Sequence, residues 1–407
     1  MKRLIQWARS CYHYLLSLVG AVLFAHPSKK MIVVGITGTK GKSTAIALLS
    51  DILEAGGYNV ASLSSVWVKW GNKKERNRTG NTMPGRMFIQ KFLSRAKKEG
   101  CDVALVEVTS QGIVQHRHRY INWNKAVFLD IHPEHIESHG SFGKYLAAKA
   151  SFFSYVSRTS HNADFFIHDD DEHADAFIDA VGNKPFVLFS VADVPNDMDI
   201  PPSLGGEFNK INIAAAVAVA RSMGVDMKII KSAIKDFKGL KGRMEEVVGA
   251  PYRVFIDYAH TPESLEYVQK YAKDQCREGG ELWCVFGSAG GGRDMWKRPR
   301  LGEIATKYCD RIVLTNEDPY DEDPLEIISQ IKKGIEHSEF DIKNVHTILD
   351  RQEAISYAIG HAKKGDIVLC TGKGSEESIH LLHGKIQKWD EREAIEKAKK
   401  NAAQGGE

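Results

Sequence analysis

The chain has 407 residues, with 55 Lys and Arg against 52 Asp and Glu, and 43% of its residues are hydrophobic. This length predicts two or three globular domains and excludes a disordered or fibrous protein. The net charge of +3 is not concentrated in a basic block, which argues against nucleic acid as a partner. The six cysteines show no CxxC pair and no zinc spacing, so we expect a reduced, cytoplasmic protein without important disulfides.

Residues 1–29 differ from the rest of the chain. Basic residues precede an apolar stretch from Tyr14 to Ala25, which is too short to cross a bilayer as a helix. No clear A-x-A site follows, so export is disfavoured. We expect a helix packed on the next domain. The alternative is an interfacial helix in peripheral contact with a membrane, with Trp7, Tyr12 and Tyr14 at headgroup level.

From Lys30 onward, strand-like and helix-like segments alternate, as in a parallel α/β sheet. The first series predicts a strand, a helix and two more strands at Met31 to Ile36, Lys42 to Gly56, Val103 to Val108 and Ala126 to Asp130. A second series predicts strands at Arg253 to Asp257, Leu282 to Phe286, Arg311 to Leu314 and Ile367 to Cys370. We therefore expect domains at 30–240 and 241–395, followed by a polar tail at 396–407.

The sharpest local signal is the segment Gly35 to Thr44, which reads G-I-T-G-T-K-G-K-S-T between a strand and a helix. Glycines let the backbone N–H groups face phosphate, Lys42 neutralises the β- and γ-phosphates, and the Ser43 hydroxyl can ligate Mg²⁺. The spacing is a short variant of the usual phosphate loop, because Ile36 stands where a glycine is expected. The predicted phosphate contacts are Gly38, Thr39, Lys40, Gly41, Lys42, Ser43 and Thr44.

This variant, G-T-x-G-K-[ST]-[ST], resembles the loop of the Mur ligases, ATP-dependent enzymes that add amino acids to the peptidoglycan precursor. Further motifs follow in that family's order, and they best resemble the members that add the third residue. They are Thr82 to Pro84, Glu107 to Arg117, His135 to Gly140, Tyr145 to Lys149, Gly206 to Asn209, Gly242 to Glu245, Asp257 to Pro262, Arg293 to Pro299, Gly372 to Gly374 and Asp390 to Glu393. The resemblance implies a P-loop central ATPase domain with a mostly parallel sheet, then a Rossmann-like α/β domain.

The resemblance also implies the chemistry: ATP phosphorylates a carboxylate, and an amine attacks the acyl phosphate. It implies ATP and Mg²⁺ as cofactors, a muramyl-peptide-type precursor and a free amino acid as substrates, and a monomer. The implied catalytic residues are Lys42, Glu107, His135 and Lys149. The implied magnesium ligands are Ser43, Glu107, His135 and a carbamylated Lys149. The other implied contacts are Asn209, Arg243 and Asp257 for ATP, and Thr82, Ser110, Arg117, Arg293, Asp318 and Glu376 for substrates.

The residues by themselves leave alternatives open. Asn209 could cap a helix from Phe208 to Ala220, Asp257 could be a turn former, and Arg243 a surface charge. Another alternative concerns the histidines His132, His135 and His139, which could share a helix face and bind zinc, although the resemblance disfavours that site. The acidic stretch Asp169 to Glu172 is expected to be a solvated loop.

Three departures bear on the substrate. The family's N-terminal uridine-nucleotide domain has no counterpart before the phosphate loop. The sequence therefore does not predict that the UDP end of the precursor is recognised. The motif D-N-P-R reads Glu317 to Tyr320 here and loses its Arg, which favours lysine over diaminopimelate unless Lys297 or Arg298 replaces it. The motif G-K-G-H-E reads Gly372 to Glu376 without its His. The alternatives are a folylpolyglutamate-synthase-like ligase and a non-catalytic ATP-binding scaffold near the membrane.

Overall fold

The computed structural model describes residues 2–85, 87–134, 136–247, 251–292 and 294–404. The chain divides into two compact units. The first unit comprises Met1–Pro201 and Glu207–Phe237, and the second comprises Pro202–Gly206 and Lys238–Glu407. The division after Phe237 lies close to the domain boundary expected from the sequence at residue 240.

The first unit alternates strands and helices. Its strands are β1 (Ile32–Thr37), β2 (Val60–Leu63), β3 (Trp67–Trp70), β4 (Lys73–Arg76), β5 (Val103–Glu107), β6 (Lys125–Phe128), β7 (Asp164–His168) and β8 (Val187–Phe189). Its helices are α1 (Lys2–Leu23), α2 (Lys42–Ala55), α3 (Phe88–Lys98), α4 (Ser110–Val114), α5 (Ile136–His139), α6 (Phe142–Thr159), α7 (Ala174–Val181), α8 (Glu207–Ser222) and α9 (Met227–Lys235).

In the described part of the first unit, eight strands form one sheet in the order β4-β3-β2-β5-β1-β6-β7-β8. All neighbours are parallel except in the edge hairpin of β2, β3 and β4. The central strand β1 lies between β5 and β6, in the registers Ile36↔Glu107 and Thr37↔Phe128. The carboxyl ends of these three strands therefore meet at one edge of the sheet, which is where parallel α/β sheets bind ligands.

Aromatic side chains fill the core on one face of this sheet, and they explain a glycine inside β1. Trp123, Phe152 and Phe153 are completely buried, and the Trp123 and Phe152 rings meet edge to face with centroids 5.0 Å apart. A Cβ at Gly35 would lie 2.6 Å from Phe152 Cζ. The glycine therefore lets α6 approach the centre of the sheet, which carries Lys149 towards the end of β1.

Helix α1 packs on the first unit through one side. Ser17 Oγ donates to the His116 carbonyl oxygen at 2.9 Å, and the Tyr14 ring meets the His116 ring edge to face. Gly20 lies against Met87 on the approach to α3, and Ala21 is completely buried. Within the described residues, no helix reaches the combination of length and apolarity that a bilayer crossing requires.

The second unit is a smaller α/β domain. Its strands are β9 (Glu245–Glu246), β10 (Arg253–Ile256), β11 (Leu282–Phe286), β12 (Arg311–Leu314), β13 (Val345–Thr347), β14 (Ile367–Cys370), β15 (Ser378–His380) and β16 (Ile386–Lys388). Its helices are α10 (Pro262–Asp274), α11 (Lys297–Tyr308), α12 (Pro324–Glu336), α13 (Arg351–His361) and α14 (Glu391–Gln404). The main sheet runs β13-β12-β11-β14-β10-β9 and is parallel apart from β9, a Rossmann-like arrangement.

One feature of the second unit differs from expectation. Cys284 in β11 and Cys309 after α11 form a disulfide, so the prediction from Cys spacing was wrong for this pair, which the parallel β11 and β12 bring together. The polar segment at 396–407 is helical up to Gln404 as the end of α14, in which Ala398 is 2% exposed. Residues 405–407 lie outside the described residues.

Candidate active site

The phosphate loop joins β1 to α2 at the carboxyl edge of the first sheet. Gly41 precedes the helix with a φ of 76°, a conformation that favours glycine. A Cβ at this position would lie 2.1 Å from Asn212 Oδ1, so α8 approaches the loop too closely for a larger residue. A curled backbone that leads into a helix N-terminus is the geometry expected for phosphate binding.

Asp130, two residues after the end of β6, holds two amides of this loop. Thr39 N–H and Lys40 N–H donate to Asp130 Oδ1 at 2.7 and 2.9 Å. Lys42 Nζ donates to the carbonyl oxygens of Gly38 and Thr39 at 2.7 and 3.0 Å. The sequence analysis does not single out Asp130, which supports the curvature of the loop. Lys42 lies on the loop itself, where its ammonium can reach a phosphate bound there.

Three oxygen-bearing side chains meet beside the loop. Glu107, the last residue of β5, is 1% exposed, and its Oε1 accepts from Ser43 Oγ at 2.6 Å. Ser65 N–H donates to the same oxygen at 2.9 Å, and Ser65 Oγ lies 2.8 Å from Ser43 Oγ. Parallel pairing of β1 and β5 explains the meeting of Ser43 and Glu107. A carboxylate with two hydroxyls fits the oxygen preference of Mg²⁺. The sequence analysis did not identify Ser65 as part of this group.

Lys149 in α6 is 2% exposed and points at the phosphate loop. Its Nζ donates to the Gly38 carbonyl oxygen at 2.6 Å and lies 5.0 Å from the centre of the Tyr145 ring. Burial, reinforced by the nearby Lys42 charge, holds the pKa of Lys149 well below its ordinary value. An uncharged lysine amine is the form that can react with CO₂, so the environment of Lys149 suits carbamylation.

The histidine cluster does not form a zinc site on one helix face. His132 lies in the loop before α5, with its Nε2 3.7 Å from Asp130 Oδ2, whereas His139 lies in α5. The His139 Nε2 is 3.0 Å from Ser110 Oγ. His135 lies outside the described residues, and no group of three His, Cys, Asp or Glu side chains that could hold a metal ion occurs among those that are described. The alternative of a shared helix face was wrong, because His132 lies in the loop before α5 whereas His139 lies in the helix.

The predicted acceptor contacts are all in the first unit. Arg117 Nη1 donates to the Met83 carbonyl oxygen, next to the half-buried Thr82. Ser110 begins α4 and is 3% exposed. The structure therefore brings Arg117 to the Thr82 segment, while Ser110 is held by His139.

Asn209 lies inside the first turn of α8, which begins at Glu207, so the prediction that it caps a helix was wrong. It is 3% exposed, and its Oδ1 accepts from Asn212 Nδ2 at 3.0 Å. Asn212 in turn is the residue that faces Gly41. Asn209 is thus one helical turn from the contact between α8 and the phosphate loop.

Arg243 and Asp257 are neighbours in the second unit. Asp257 follows β10 and accepts from Met244 N–H at 2.8 Å and from Ala259 N–H at 2.7 Å. Burial raises the pKa of this carboxyl, and the Arg243 charge partly opposes the rise. Arg243 stacks over the Tyr258 ring at 4.4 Å, so it is not an isolated surface charge. Asp257 has the hydrogen bonds of a turn former, and the contact with ATP that the resemblance implies would be additional.

The residues proposed for the amino acid surround a completely buried lysine. Lys373 Nζ donates to Asp318 Oδ1 at 2.9 Å and to Glu376 Oε2 at 2.7 Å. Tyr258 OH donates to Glu376 Oε1 at 3.2 Å. Asp318 and Glu376 are therefore brought together, as the resemblance implies. Arg293 lies outside the described residues.

Tyr320 takes the position of the missing Arg, and the two suggested substitutes, Lys297 and Arg298, are both buried. The Tyr320 ring stacks on His380, with centroids 5.2 Å apart. Arg298 is completely buried and pairs with Glu322 Oε2 at 2.8 Å, so it is not available as a substitute. Lys297 is 4% exposed and lies near the buried Glu317, whose pKa is raised by burial and lowered in part by the Lys297 charge.

Comparison with known proteins agrees with this geometry. The profile of the Mur ligase middle domain matches residues 36–199, and that of the Mur ligase glutamate ligase domain matches residues 242–374. A UDP-N-acetylmuramoyl-L-alanyl-D-glutamate–2,6-diaminopimelate ligase of Bacillus cereus is 30% identical over 94% of this chain and 81% of its own. A UDP-N-acetylmuramyl-tripeptide synthetase of Roseiflexus is 33% identical over 96% of this chain and 83% of its own.

Solved structures show the same fold. One UDP-N-acetylmuramoyl-L-alanyl-D-glutamate–2,6-diaminopimelate ligase, 27% identical, superposes with a TM-score of 0.61 over 92% of this chain and 80% of its own. Folylpolyglutamate synthase of Mycobacterium tuberculosis, solved with ADP and AMPPCP, has a TM-score of 0.70 at 16% identity over 88% of this chain and 92% of its own. The two matched domains and the identity to full-length relatives show that the chain belongs to the Mur ligase family of ATP-dependent ligases.

Proposed function

We propose that this chain is an ATP-dependent ligase that joins a free amino acid to the carboxylate of a muramyl-peptide-type acceptor. The observation that carries the proposal is the convergence at the carboxyl ends of β5, β1 and β6. The phosphate loop, the Ser43–Glu107 pair and the buried Lys149 amine all lie at this edge of the sheet. This is the set of groups that phosphoryl transfer from ATP to a carboxylate requires.

The reaction has two steps. An oxygen of the acceptor carboxylate attacks the γ-phosphorus of ATP, the bond to the β,γ-bridging oxygen breaks, and ADP leaves. The amine then attacks the acyl carbon, inorganic phosphate leaves with the bridging oxygen, and the amine's proton passes to solvent. Lys42 and the loop amides stabilise the charge on the phosphate oxygens, and positioning with charge neutralisation is the main requirement of such transfers.

Ser43 and Glu107 would hold Mg²⁺, with Ser65 placed to join them. When bound there, the ion would neutralise phosphate oxygens and orient them for transfer. We propose a second magnesium site at Lys149 in its carbamylated form, together with His135. This chain's own contribution at the second site is the uncharged amine, which the protein keeps next to the Gly38 carbonyl.

The acceptor would bind along Thr82, Ser110 and Arg117, and the amino acid near Asp318 and Glu376 with Arg293. Asn209, Arg243 and Asp257 are proposed as the remaining ATP contacts. The pairing of Arg298 with Glu322 removes one of the two cations that could replace the missing Arg, which favours lysine over diaminopimelate. We propose that the chain acts as a cytoplasmic monomer.

A second candidate is a folylpolyglutamate-synthase-like ligase, because the TM-score to that fold is 0.70. At 16% identity that likeness concerns the fold alone. Both candidates consume ATP, whereas a non-catalytic scaffold would bind ATP without turnover.

Phosphate release by the purified chain tests the proposal. Amino acids are screened with ATP, Mg²⁺ and either UDP-muramyl-dipeptide or a folate acceptor. Release that requires the muramyl acceptor is expected. Lys42→Ala and Glu107→Ala should each lower it at least about a hundredfold, the scale of losing one electrostatic stabiliser. Lys98→Ala, which removes an exposed lysine on α3, is the matched control. Unchanged turnover in either site variant would exclude this site.

A further inference from the structure

The outward side of α1 carries an apolar stripe that nothing in the described structure covers. Tyr12, Leu15, Val19 and Val22 are 54%, 56%, 50% and 60% exposed, and Leu23 is 66% exposed. Their spacing of three and four residues puts them on one face of the helix. The opposite face is occupied by the contacts of Ser10, Ser17, Gly20 and Ala21 with the first unit. The stripe is therefore a consequence of how α1 packs.

The charged residues of α1 and of the segment that follows it are of one sign. Residues 1–39 contain five Lys and Arg side chains and no Asp or Glu, and the first acidic residue of the chain is Asp51. Arg9 is exposed near the start of α1, and Lys29 and Lys30 are exposed just beyond its end. Trp7, 66% exposed, lies in the amino-terminal part of α1. An apolar face with basic flanks and interfacial aromatics is the pattern of a helix that lies in a membrane surface.

We propose that α1 docks on an anionic lipid surface, parallel to the bilayer plane, through the stripe Tyr12, Leu15, Val19, Val22 and Leu23. Basic groups at both ends of the helix favour this occupant over a second copy of the chain. An antiparallel pairing of two such helices would bring Arg9 of one towards Lys29 and Lys30 of the other without any acidic partner on α1.

Docking through the outward side of α1 would leave the cleft on its inner side, next to the proposed acceptor residue Arg117, accessible to solvent. The inner side of α1 lines a small open cleft, in which His13, Leu16 and Ser17 face Pro84, Gln115 and Arg117. A helix with its side chains is about 10–12 Å wide, so this cleft would lie about one helix diameter from the lipid. If Arg117 binds the acceptor, which rests on the proposed function, the enzyme would take its acceptor near the membrane surface.

Flotation of the full chain with vesicles tests the docking directly. Binding is expected to phosphatidylcholine vesicles that contain phosphatidylglycerol, and it should weaken with phosphatidylcholine alone and with rising salt. Leu15→Glu should lower the bound fraction at least about tenfold, because it places a charge in the docking face. The matched control is Leu325→Glu, since Leu325 is 54% exposed on α12 and should leave binding unchanged. Val22→Glu is a second stripe variant, for use if Leu15→Glu misfolds.

Phosphate release in solution is measured alongside and should be the same in wild type and Leu15→Glu. Loss of vesicle binding with intact turnover would support docking, whereas turnover that is absent throughout would count against the proposed function alone. The proposal would be overturned if the wild-type protein failed to float with the vesicles. It would also be overturned if Leu15→Glu and Val22→Glu floated as well as the wild type and Leu325→Glu. Sedimentation equilibrium that shows a dimer abolished by Leu15→Glu without any lipid binding would overturn it as well, since the stripe would then join two copies.

Discussion

Replacement of Lys149 tests the most unusual feature of the site, a buried amine beside a phosphate loop. Lys149→Ala removes a group that is 2% exposed and whose Nζ lies 2.6 Å from the Gly38 carbonyl oxygen. If the amine carries a carbamate, the variant loses the anion that would hold the second Mg²⁺. We expect phosphate release to fall at least about a hundredfold, the scale of losing one well-placed charge.

The chemistry of the carbamate gives two further readouts. The neutral amine attacks CO₂, a nitrogen–carbon bond forms, and a proton goes to solvent, so wild type should lose activity when CO₂ is stripped from the buffer. A short carboxylic acid should partly restore Lys149→Ala by filling the vacated space with an anion. Lys144→Ala, an exposed lysine on the same helix, is the matched control and should keep wild-type activity. Full activity of Lys149→Ala would refute the role of this residue.

The lowered pKa of Lys149 also has a consequence for stability. The folded state binds its proton less tightly than the unfolded state, so the unmodified lysine destabilises the fold below its ordinary pKa, and this cost disappears as pH rises past that value. In CO₂-free buffer, Lys149→Met should therefore be more stable than wild type at neutral pH, by a margin that shrinks towards alkaline pH. Urea unfolding at a series of pH values measures it, and a margin independent of pH would contradict the buried, uncharged amine.

Three more predictions concern other parts of the chain. Gly41→Ala should weaken binding of a non-hydrolysable ATP analogue at least about tenfold, because the added Cβ would meet Asn212. Calorimetry measures this affinity, and the double variant Gly41→Ala/Asn212→Ala should recover part of it. Glu391→Gln leaves Arg351 buried without a counter-charge and should cost about 3–5 kcal/mol in urea unfolding; a loss under about 1 kcal/mol would refute the importance of this pair. At equal concentrations, lysine should be incorporated in preference to diaminopimelate, as product masses will show; the reverse would mean that Tyr320 does not decide the choice.

Motifs made of consecutive residues predicted the central strand of the first sheet and the helix that follows it closely. The apolar run at Met31 to Ile36 became β1 (Ile32–Thr37), and the helix predicted from Lys42 begins at that residue. Their success has a physical reason: a buried parallel strand is apolar throughout, and a glycine-rich turn into a helix depends on residues adjacent in the chain.

Residues that reach the site from elsewhere in the chain were harder to find. Asp130, Ser65 and Asn212 belong to three separate segments, and each contacts the loop or its serine only after the sheet and α8 have assembled. Asp130, the last residue of the strand predicted at Ala126 to Asp130, was an available signal, since that end of a parallel strand faces the ligand edge. Nothing comparable marked Ser65 or Asn212.

Other differences came from long-range packing. The Cys284–Cys309 disulfide joins residues 25 apart that parallel strands bring together, whereas spacing rules concern cysteines close in sequence. In α14, the apolar positions Ile395 and Ala398 are few among charged residues, so the sequence indicated a polar helix without showing that it packs on the core of the second unit. In each case the deciding contact is made by an element remote in the chain.

The central claim is that ATP activates the carboxylate of a muramyl-peptide acceptor, and isotope transfer tests it most directly. The acceptor carboxylate is labelled with ¹⁸O, and the chain is supplied with unlabelled ATP, Mg²⁺ and lysine. An acyl phosphate passes one acceptor oxygen to the phosphate that leaves, so the released phosphate should carry one ¹⁸O atom for each amide bond formed. Mass spectrometry of the phosphate measures this. Amide product accompanied by unlabelled phosphate would contradict the mechanism, and labelled phosphate that also appears with Glu107→Ala at the wild-type rate would contradict the site.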